Sequence, residues 1–205
     1  MSFYDLLDPL AIIKTLGLLG VVLIVFAESG LFFGFFFPGD SLLFTAGFLA
    51  SQDLISIWGL LILCFIAAVA GDSVGYSFGK KTGPMIFSKE DSFFFRKRHI
   101  ETARVFYEKH GKKTIIFARF IPIVRTFAPI VAGVAGMEYK TFIKFNVIGG
   151  FVWTWGMLGL GYILGNSIPN AEHYLTPIII VIILTSFIPP VLEFIKHKKT
   201  KNPVV

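Results

Sequence analysis

Long apolar stretches alternate with short polar turns along the chain, a pattern typical of helices that cross a membrane. We predict a first crossing helix at Leu10–Ala27 and a second at Leu54–Gly79. A third is expected from about Phe142 to Gly165, and a fourth from about Pro177 to Ile195. Each stretch approaches the length of about 20 apolar residues that a spanning helix requires.

Two further apolar stretches, Glu28–Ala50 and Thr114–Gly136, contain residues that break helices. The breakers are Pro38 and Gly39 in the first stretch, and Pro122 and Pro129 in the second. Proline removes a backbone donor and glycine permits a chain reversal, so neither stretch fits an ordinary spanning helix. We therefore expect two re-entrant hairpins, each of which enters the membrane, turns and leaves on the side from which it entered.

The hairpins and helices are expected to form two related halves. Ala46-Gly47 recurs as Ala132-Gly133, and Gly75-Tyr76-x-x-Gly79 recurs at the same offset as Gly161-Tyr162-x-x-Gly165. Lysine and arginine concentrate in the central loop and the tail, which the positive-inside rule places in the cytoplasm together with both termini. The first hairpin then enters from outside and the second from inside, as in the inverted repeats of secondary transporters.

The predicted fold is an all-α polytopic membrane protein with an inverted repeat, two re-entrant hairpins and about four crossing helices, in one domain over residues 1–205. Its segments are repeat one at about 10–80, a cytoplasmic loop at about 81–113, repeat two at about 114–165, and an extra helix at about 177–195 followed by a basic tail.

The cytoplasmic loop carries an apolar pattern of its own. Ile100, Ala103, Phe106 and Tyr107 recur at helical spacing with charges between them, which indicates an amphipathic helix lying on anionic membrane lipids. A solvated helix without lipid contact fits the same pattern.

Composition supports the membrane class and narrows the partners. Hydrophobic residues make up 55% of the chain and its mean hydropathy is +0.74, as in polytopic membrane proteins. A net charge of +6 would suggest nucleic acid in a soluble protein, but basic loops beside an anionic inner leaflet account for it here, so no nucleic-acid partner is expected. The lone Cys64 and the scattered histidines lack ligand spacing, so we predict neither metal nor cofactor.

Four charges in the hairpins form the candidate site: Glu28 and Asp40 in the first, Arg119 and Arg125 in the second. Opposed hairpins would bring them together at mid-depth. Guanidinium donors match phosphate oxygens, so we predict that the arginines bind a lipid phosphate. The acids would pair with the arginines when no anion is present, and can take up protons because burial favours a neutral acid. Static buried salt bridges that only fix the fold stay an open alternative.

Two other residues are expected outside this site. Asp72, beside Gly71, is expected at the inner interface of the membrane, and Trp153 is expected to be a core or interfacial aromatic residue.

Three motifs give the chain a family resemblance: F-x-P-G-D-S-L-L, G-D-S-x-G-Y-x-x-G and A-R-F-I-P-I-V-R-T-F-A-P-x-x-A-G. Together they resemble the DedA family of bacterial inner-membrane proteins, which share the SNARE-associated or VTT domain. The resemblance covers about Gly17 to Gly165. It implies a lipid transporter that recycles a polyprenyl-phosphate carrier or moves phospholipids between leaflets, with links to the proton-motive force. It also implies functional roles for Glu28, Asp40, Arg119 and Arg125.

The leading functional hypothesis is a flippase for a phosphate-headed lipid, polyprenyl (undecaprenyl) phosphate, in the bacterial inner membrane. A phosphatidylethanolamine flippase or scramblase is an alternative. So is a proton- or cation-coupled exchanger in which Glu28 and Asp40 bind the ion. An enzyme is not expected, because no histidine lies in either hairpin to support a lipid phosphatase. A structural scaffold and a homo-oligomer both remain open.

Overall fold

The computed structural model describes residues 9–31, 37–87 and 113–167, and every regular element in these ranges is a helix. The helices are α1 (Pro9–Gly30), α2 (Gly39–Ser51), α3 (Ile57–Phe87), α4 (Thr114–Ala118), α5 (Pro122–Val134) and α6 (Tyr139–Ser167). The amphipathic segment predicted around residues 100–107 and the crossing helix predicted at 177–195 lie outside the described residues.

Two of the described helices are long and apolar enough to cross a membrane. They are Ile57–Gly83 within α3, with 27 residues, and Tyr139–Ser167, with 29 residues. Large apolar side chains on both helices face outward: Ile66 is 54% exposed on α3, and Ile163 is 64% exposed on α6. Such outward apolar faces fit a helix surrounded by lipid, whereas a soluble core helix would bury them.

The first predicted crossing helix differs from a straight span. At Gly17 the backbone takes φ +57° and ψ −146°, a conformation that glycine tolerates and that kinks α1. The apolar helical stretch that contains this kink, Thr15–Gly30, is shorter than a usual span. It also continues past Ala27, so Glu28 lies in the last turn of α1 rather than in a hairpin loop.

Both proline-containing stretches consist of helices separated by a break. In the first, the helical backbone ends after Gly30 and α2 begins at Gly39, directly after Pro38. In the second, a break at 119–121 separates α4 from α5, which begins at Pro122, a position where the missing N–H costs no helical hydrogen bond.

The interpretation of Pro129 as a helix breaker is wrong. This proline lies inside α5, which continues to Val134. The residue is buried, and α5 packs along α3. An interior proline costs a helix about 3 kcal/mol through one lost hydrogen bond and a steric clash, and this packing can offset that cost.

Helix packing crosses between the two halves of the chain, because α2 packs mainly on α6 and α5 packs mainly on α3. Both contacts bring backbones together at glycine. A Cβ atom on Gly47 of α2 would overlap the carbonyl oxygen of Leu158, and one on Gly133 of α5 would overlap that of Tyr76. Small residues at such positions allow helices in lipid to approach closely.

Glycines on the two long helices, α3 and α6, likewise lie against the backbones of α5 and α2. A Cβ atom on Gly161 of α6 would overlap the carbonyl oxygen of Phe44 on α2, and one on Gly79 of α3 would overlap that of Ile130 on α5. The α2–α6 and α3–α5 contacts are therefore built from matching pairs.

Candidate functional site

Arg125 is the centre of a buried ionic cluster that joins three helices. It lies in the first turns of α5 and its side chain is 6% exposed. Its Nη1 donates a hydrogen bond of 2.6 Å to Oδ1 of Asp40, and its Nη2 donates to Oε1 of Glu28. One guanidinium therefore holds carboxylates from two helices, α1 and α2.

The two carboxylates have different surroundings. Glu28 is fully buried, whereas the side chain of Asp40 is 20% exposed. Asp40 also lies in the first turn of α2, where a negative charge interacts favourably with the helix dipole. Asp40 is thus the more accessible of the two acids that hold Arg125.

Arg119 forms a separate cluster with other partners. It follows the C-terminus of α4, is 3% exposed, and forms an ion pair with Asp72 of α3. Its Nη2 also donates to Oδ1 of Asn146 at 2.5 Å, and Asn146 in turn donates from Nδ2 to the carbonyl oxygen of Val69 at 3.1 Å. This cluster connects α4 to both long helices.

Trp153 of α6 links the two clusters. Its indole Nε1 donates a hydrogen bond of 2.7 Å to Oδ1 of Asp40. The guanidinium carbon of Arg125 lies 4.7 Å from the indole centroid, and that of Arg119 lies 5.8 Å from it. Both arginines are therefore within cation–π distance of one aromatic ring.

Several buried polar atoms of the site have no hydrogen-bond partner among the described residues. They are Oε2 of Glu28 and the Nε atoms of Arg119 and Arg125. Buried polar groups are usually satisfied, so unsatisfied ones mark a place where a ligand or a rearrangement can supply partners. The site also combines three acids with two arginines, so its ionised side chains carry more negative than positive charge.

The structure divides the four predicted site residues between two clusters. Glu28 and Asp40 both contact Arg125, while the ion pair of Arg119 is with Asp72. Placing Asp72 outside the site was wrong, because this residue is 4% exposed, lies well inside α3 and forms an ion pair with Arg119. An acid within an apolar stretch was itself the signal that it needs a buried partner.

Two further site residues escaped the sequence analysis. Asn146 lies in the apolar stretch of α6 and is fully buried, and Trp153 acts as a hydrogen-bond donor as well as a core aromatic residue. Gly39 has a role besides the break at Pro38, since a Cβ atom there would overlap the carboxylate of Glu28. Within residues 9–31, 37–87 and 113–167 no group of histidine, cysteine or acidic residues is arranged to hold a metal ion.

Comparison with known proteins places this site in a family. The VTT domain matches residues 37–163, a range that includes every site residue named above except Glu28. The chain is also 46% identical to the protein DedA of Escherichia coli K12 over 179 residues, which is 86% of this chain and 81% of that protein. The chain belongs to the DedA family.

Other relatives in the DedA family are named as membrane proteins. An uncharacterized membrane protein of Mycobacterium leprae is 43% identical over 82% of this chain and 75% of its own length. The inner membrane protein YqjA of Escherichia coli K12 is 32% identical over 78% of this chain and 74% of its own length. No solved structure matches the chain. With its two apolar spans, this DedA-family chain is a membrane protein.

Proposed function

We propose that this protein is a flippase of the bacterial inner membrane that moves a phosphate-headed lipid, polyprenyl (undecaprenyl) phosphate, between leaflets. The observation that carries the proposal is Arg125, a buried guanidinium held by two carboxylates that an anionic head group can replace. The resemblance to lipid transporters of the DedA family supplies the substrate class. No bond of the lipid is broken in this function, so the protein would not be an enzyme.

Substrate binding would exchange one anion for another. Asp40 is the more exposed acid and the first to give way, after which phosphate oxygens accept from the Arg125 fork. Proton uptake by Glu28 or Asp40 would neutralise the acid and release the guanidinium, which couples transport to the proton-motive force. The other charges around this exchange are Arg119 and Asp72, which pair with each other.

The proposed topology is an inverted repeat with two re-entrant hairpins and about four crossings, the last in residues outside the described ranges. Its support is the matched contacts between hairpin and long helix. In these contacts Gly161 of α6 corresponds to Gly79 of α3. The sequence motif had matched Gly161 with Gly75, so the structural register differs by about one helical turn.

Alternating access follows from this packing in the proposal. Each hairpin rests on the long helix of the other half, so a rocking motion of the halves would carry both hairpins with it. The cluster around Arg125 would then open to one leaflet at a time. Lipids with a zwitterionic head, such as phosphatidylethanolamine, would make fewer favourable contacts with this arginine.

The test is transport in defined liposomes that contain the purified protein. Wild-type protein is expected to move undecaprenyl phosphate faster than phosphatidylethanolamine, and Arg125→Ala is expected to abolish the movement. Lys144→Ala, which removes an exposed cation from α6, is the matched control and should transport normally. Equal transport by wild type and Arg125→Ala would contradict the proposal. A response to a pH or sodium gradient without any lipid would favour the ion exchanger instead.

A further inference from the structure

The carboxylate of Glu28 lies directly against the first residue of α2. A Cβ atom on Gly39 would overlap both carboxylate oxygens and the carboxyl carbon of Glu28, so the acid occupies the space of the absent side chain. α2 is 13 residues long, and its N-cap residue, Pro38, makes no capping hydrogen bond through its side chain. The carboxylate of Glu28 therefore lies at the N-terminus of a helix of several turns.

This position is electrostatically suited to an anion. The first N–H groups of a helix have no acceptor within it, and the aligned peptide dipoles place positive partial charge there. Glu28 is fully buried, and its Oε1 accepts from Arg125 while its Oε2 has no partner among the described residues. The guanidinium bonds this carboxylate and the first residue of α2 lies against it, and both features are ones that bind phosphate in proteins.

We propose that the first turn of α2 at Gly39 and the guanidinium of Arg125 form an anion site, and that Glu28 is its internal occupant. A phosphoryl group takes this site when Glu28 leaves it. The site is defined by the contacts of Glu28, Gly39 and Arg125 alone. Its assignment to the head group of a transported lipid rests on the proposed function.

Gly39 is the residue that makes the site wide enough. Phosphate is bulkier than a carboxylate, and a side chain at position 39 would fill the space in which Glu28 now lies. Asp40 bonds the other terminal nitrogen of Arg125, so its departure would free that nitrogen for a second phosphate oxygen. The guanidinium could then bind phosphate through both terminal nitrogens.

The test removes the carboxylate of Glu28 by mutation and supplies inorganic phosphate as a ligand in its place. In purified Glu28→Ala protein, inorganic phosphate is expected to raise the melting temperature relative to chloride at equal ionic strength. The rise should be about 2–4 °C once phosphate exceeds its dissociation constant several-fold. Wild-type protein, in which phosphate must first displace Glu28, should show a much smaller rise. An equal response of both proteins, or of neither, would overturn the proposal.

A second substitution provides the matched control. In Glu28→Ala/Gly39→Ala the new methyl group occupies the vacated space, so the phosphate response should disappear. In Glu28→Ala/Gly159→Ala the response should persist, because a Cβ atom on Gly159 meets no atom within 4 Å. If Glu28→Ala yields no folded protein in either buffer, Glu28→Ser is measured in the same way, and failure of phosphate to rescue both variants overturns the proposal.

Two ligands separate a free phosphate from a lipid head group. Geranyl phosphate should stabilise Glu28→Ala at lower concentration than inorganic phosphate if the site serves a lipid, whereas geraniol should have no effect. If only inorganic phosphate stabilised Glu28→Ala, the anion site would be supported and its assignment to a lipid head group would be rejected. Loss of transport in the liposome assay, with the phosphate response intact, would count against the proposed function and not against the anion site.

Discussion

Trp153 and Asp40 are joined by a hydrogen bond of 2.7 Å from the indole Nε1 to the carboxylate Oδ1. The same oxygen accepts a bond of 2.6 Å from Arg125, so one atom connects α2, α5 and α6. Any movement of Asp40 away from the arginine must therefore also change its bond to the long helix α6. Trp153 is in this sense a positioning residue for the acid.

Replacement of Trp153 by phenylalanine keeps an aromatic ring beside the arginines and removes the indole donor. A hydrogen bond to a charged group contributes about 1.5–3 kcal/mol, so we expect transport of undecaprenyl phosphate to fall about tenfold or more. The control is Trp155→Phe, because Trp155 is 36% exposed and its ring contacts that of Phe151 in a tilted arrangement. The role of Trp153 as a donor would be rejected if both variants transported equally well.

Truncation of Asp72 is expected to destabilise the protein strongly. Asp72→Ala leaves Arg119 buried without its carboxylate, and breaking a buried ion pair in this way costs about 3–5 kcal/mol. The measurement is thermal unfolding in detergent, with Lys140→Ala at the exposed start of α6 as the control. An unchanged melting temperature for Asp72→Ala would show that this pair does not hold the fold.

A paired apolar replacement separates the structural role of Arg119 from a role in transport. Asp72→Leu/Arg119→Met removes both charges, and apolar substitutes for a buried pair are often neutral or stabilising. We expect this variant to be more stable than Asp72→Ala and still unable to transport undecaprenyl phosphate, because it lacks the second arginine that the sequence analysis predicts to bind the phosphate. Normal transport by the double variant would make Arg119 a purely structural residue.

The matched backbone contacts predict matched effects of substitution. Gly47→Val and Gly133→Val should each lower the free energy of unfolding by about 1–3 kcal/mol or more, because the new side chain meets a carbonyl group on a long helix. Gly156→Ala, at a position with no atom within 4 Å, should be neutral or slightly stabilising. Tolerance of valine at only one of the two sites would argue against equivalent packing of the two halves.

The inverted topology predicts opposite membrane sides for two exposed residues. In a protein whose buried Cys64 is replaced by alanine, Gln52→Cys is expected to react with an impermeant thiol reagent from the periplasmic side. Glu138→Cys, at the exposed start of α6, is expected to react only from the cytoplasmic side. Labelling of both cysteines from one side would contradict the inverted repeat.

Local sequence signals predicted the long helices and two of the breaks, but not the pairing of charges. Long apolar runs predicted α3 and α6, and the breaks at Pro38 and Pro122 follow from the chemistry of proline. The requirement that buried charges be neutralised predicted that acids and arginines meet. Which acid meets which arginine depends on helix rotation and register, and the sequence does not specify these.

The predicted end of α3 was too early, and this error changed the interpretation of Asp72. The apolar run before it suggested a helix ending near Gly79, which placed Asp72 close to the membrane surface. The helix continues to Phe87, so Asp72 lies well inside it and pairs with Arg119. Helix ends are set by the surrounding packing as well as by local composition, which is why such boundaries are difficult to predict.

The crossed packing of the hairpins constrains how the ribosome can deliver this protein to the membrane. Glu28 precedes its arginine by 97 residues, and Asp40 precedes the indole that binds it by 113 residues. A lone carboxylate at the bilayer centre costs about 2.5–3.5 kcal/mol on insertion scales. In the proposed topology, the first hairpin is therefore expected to remain outside the hydrocarbon, or inside an insertase, until the second half of the chain has been synthesised.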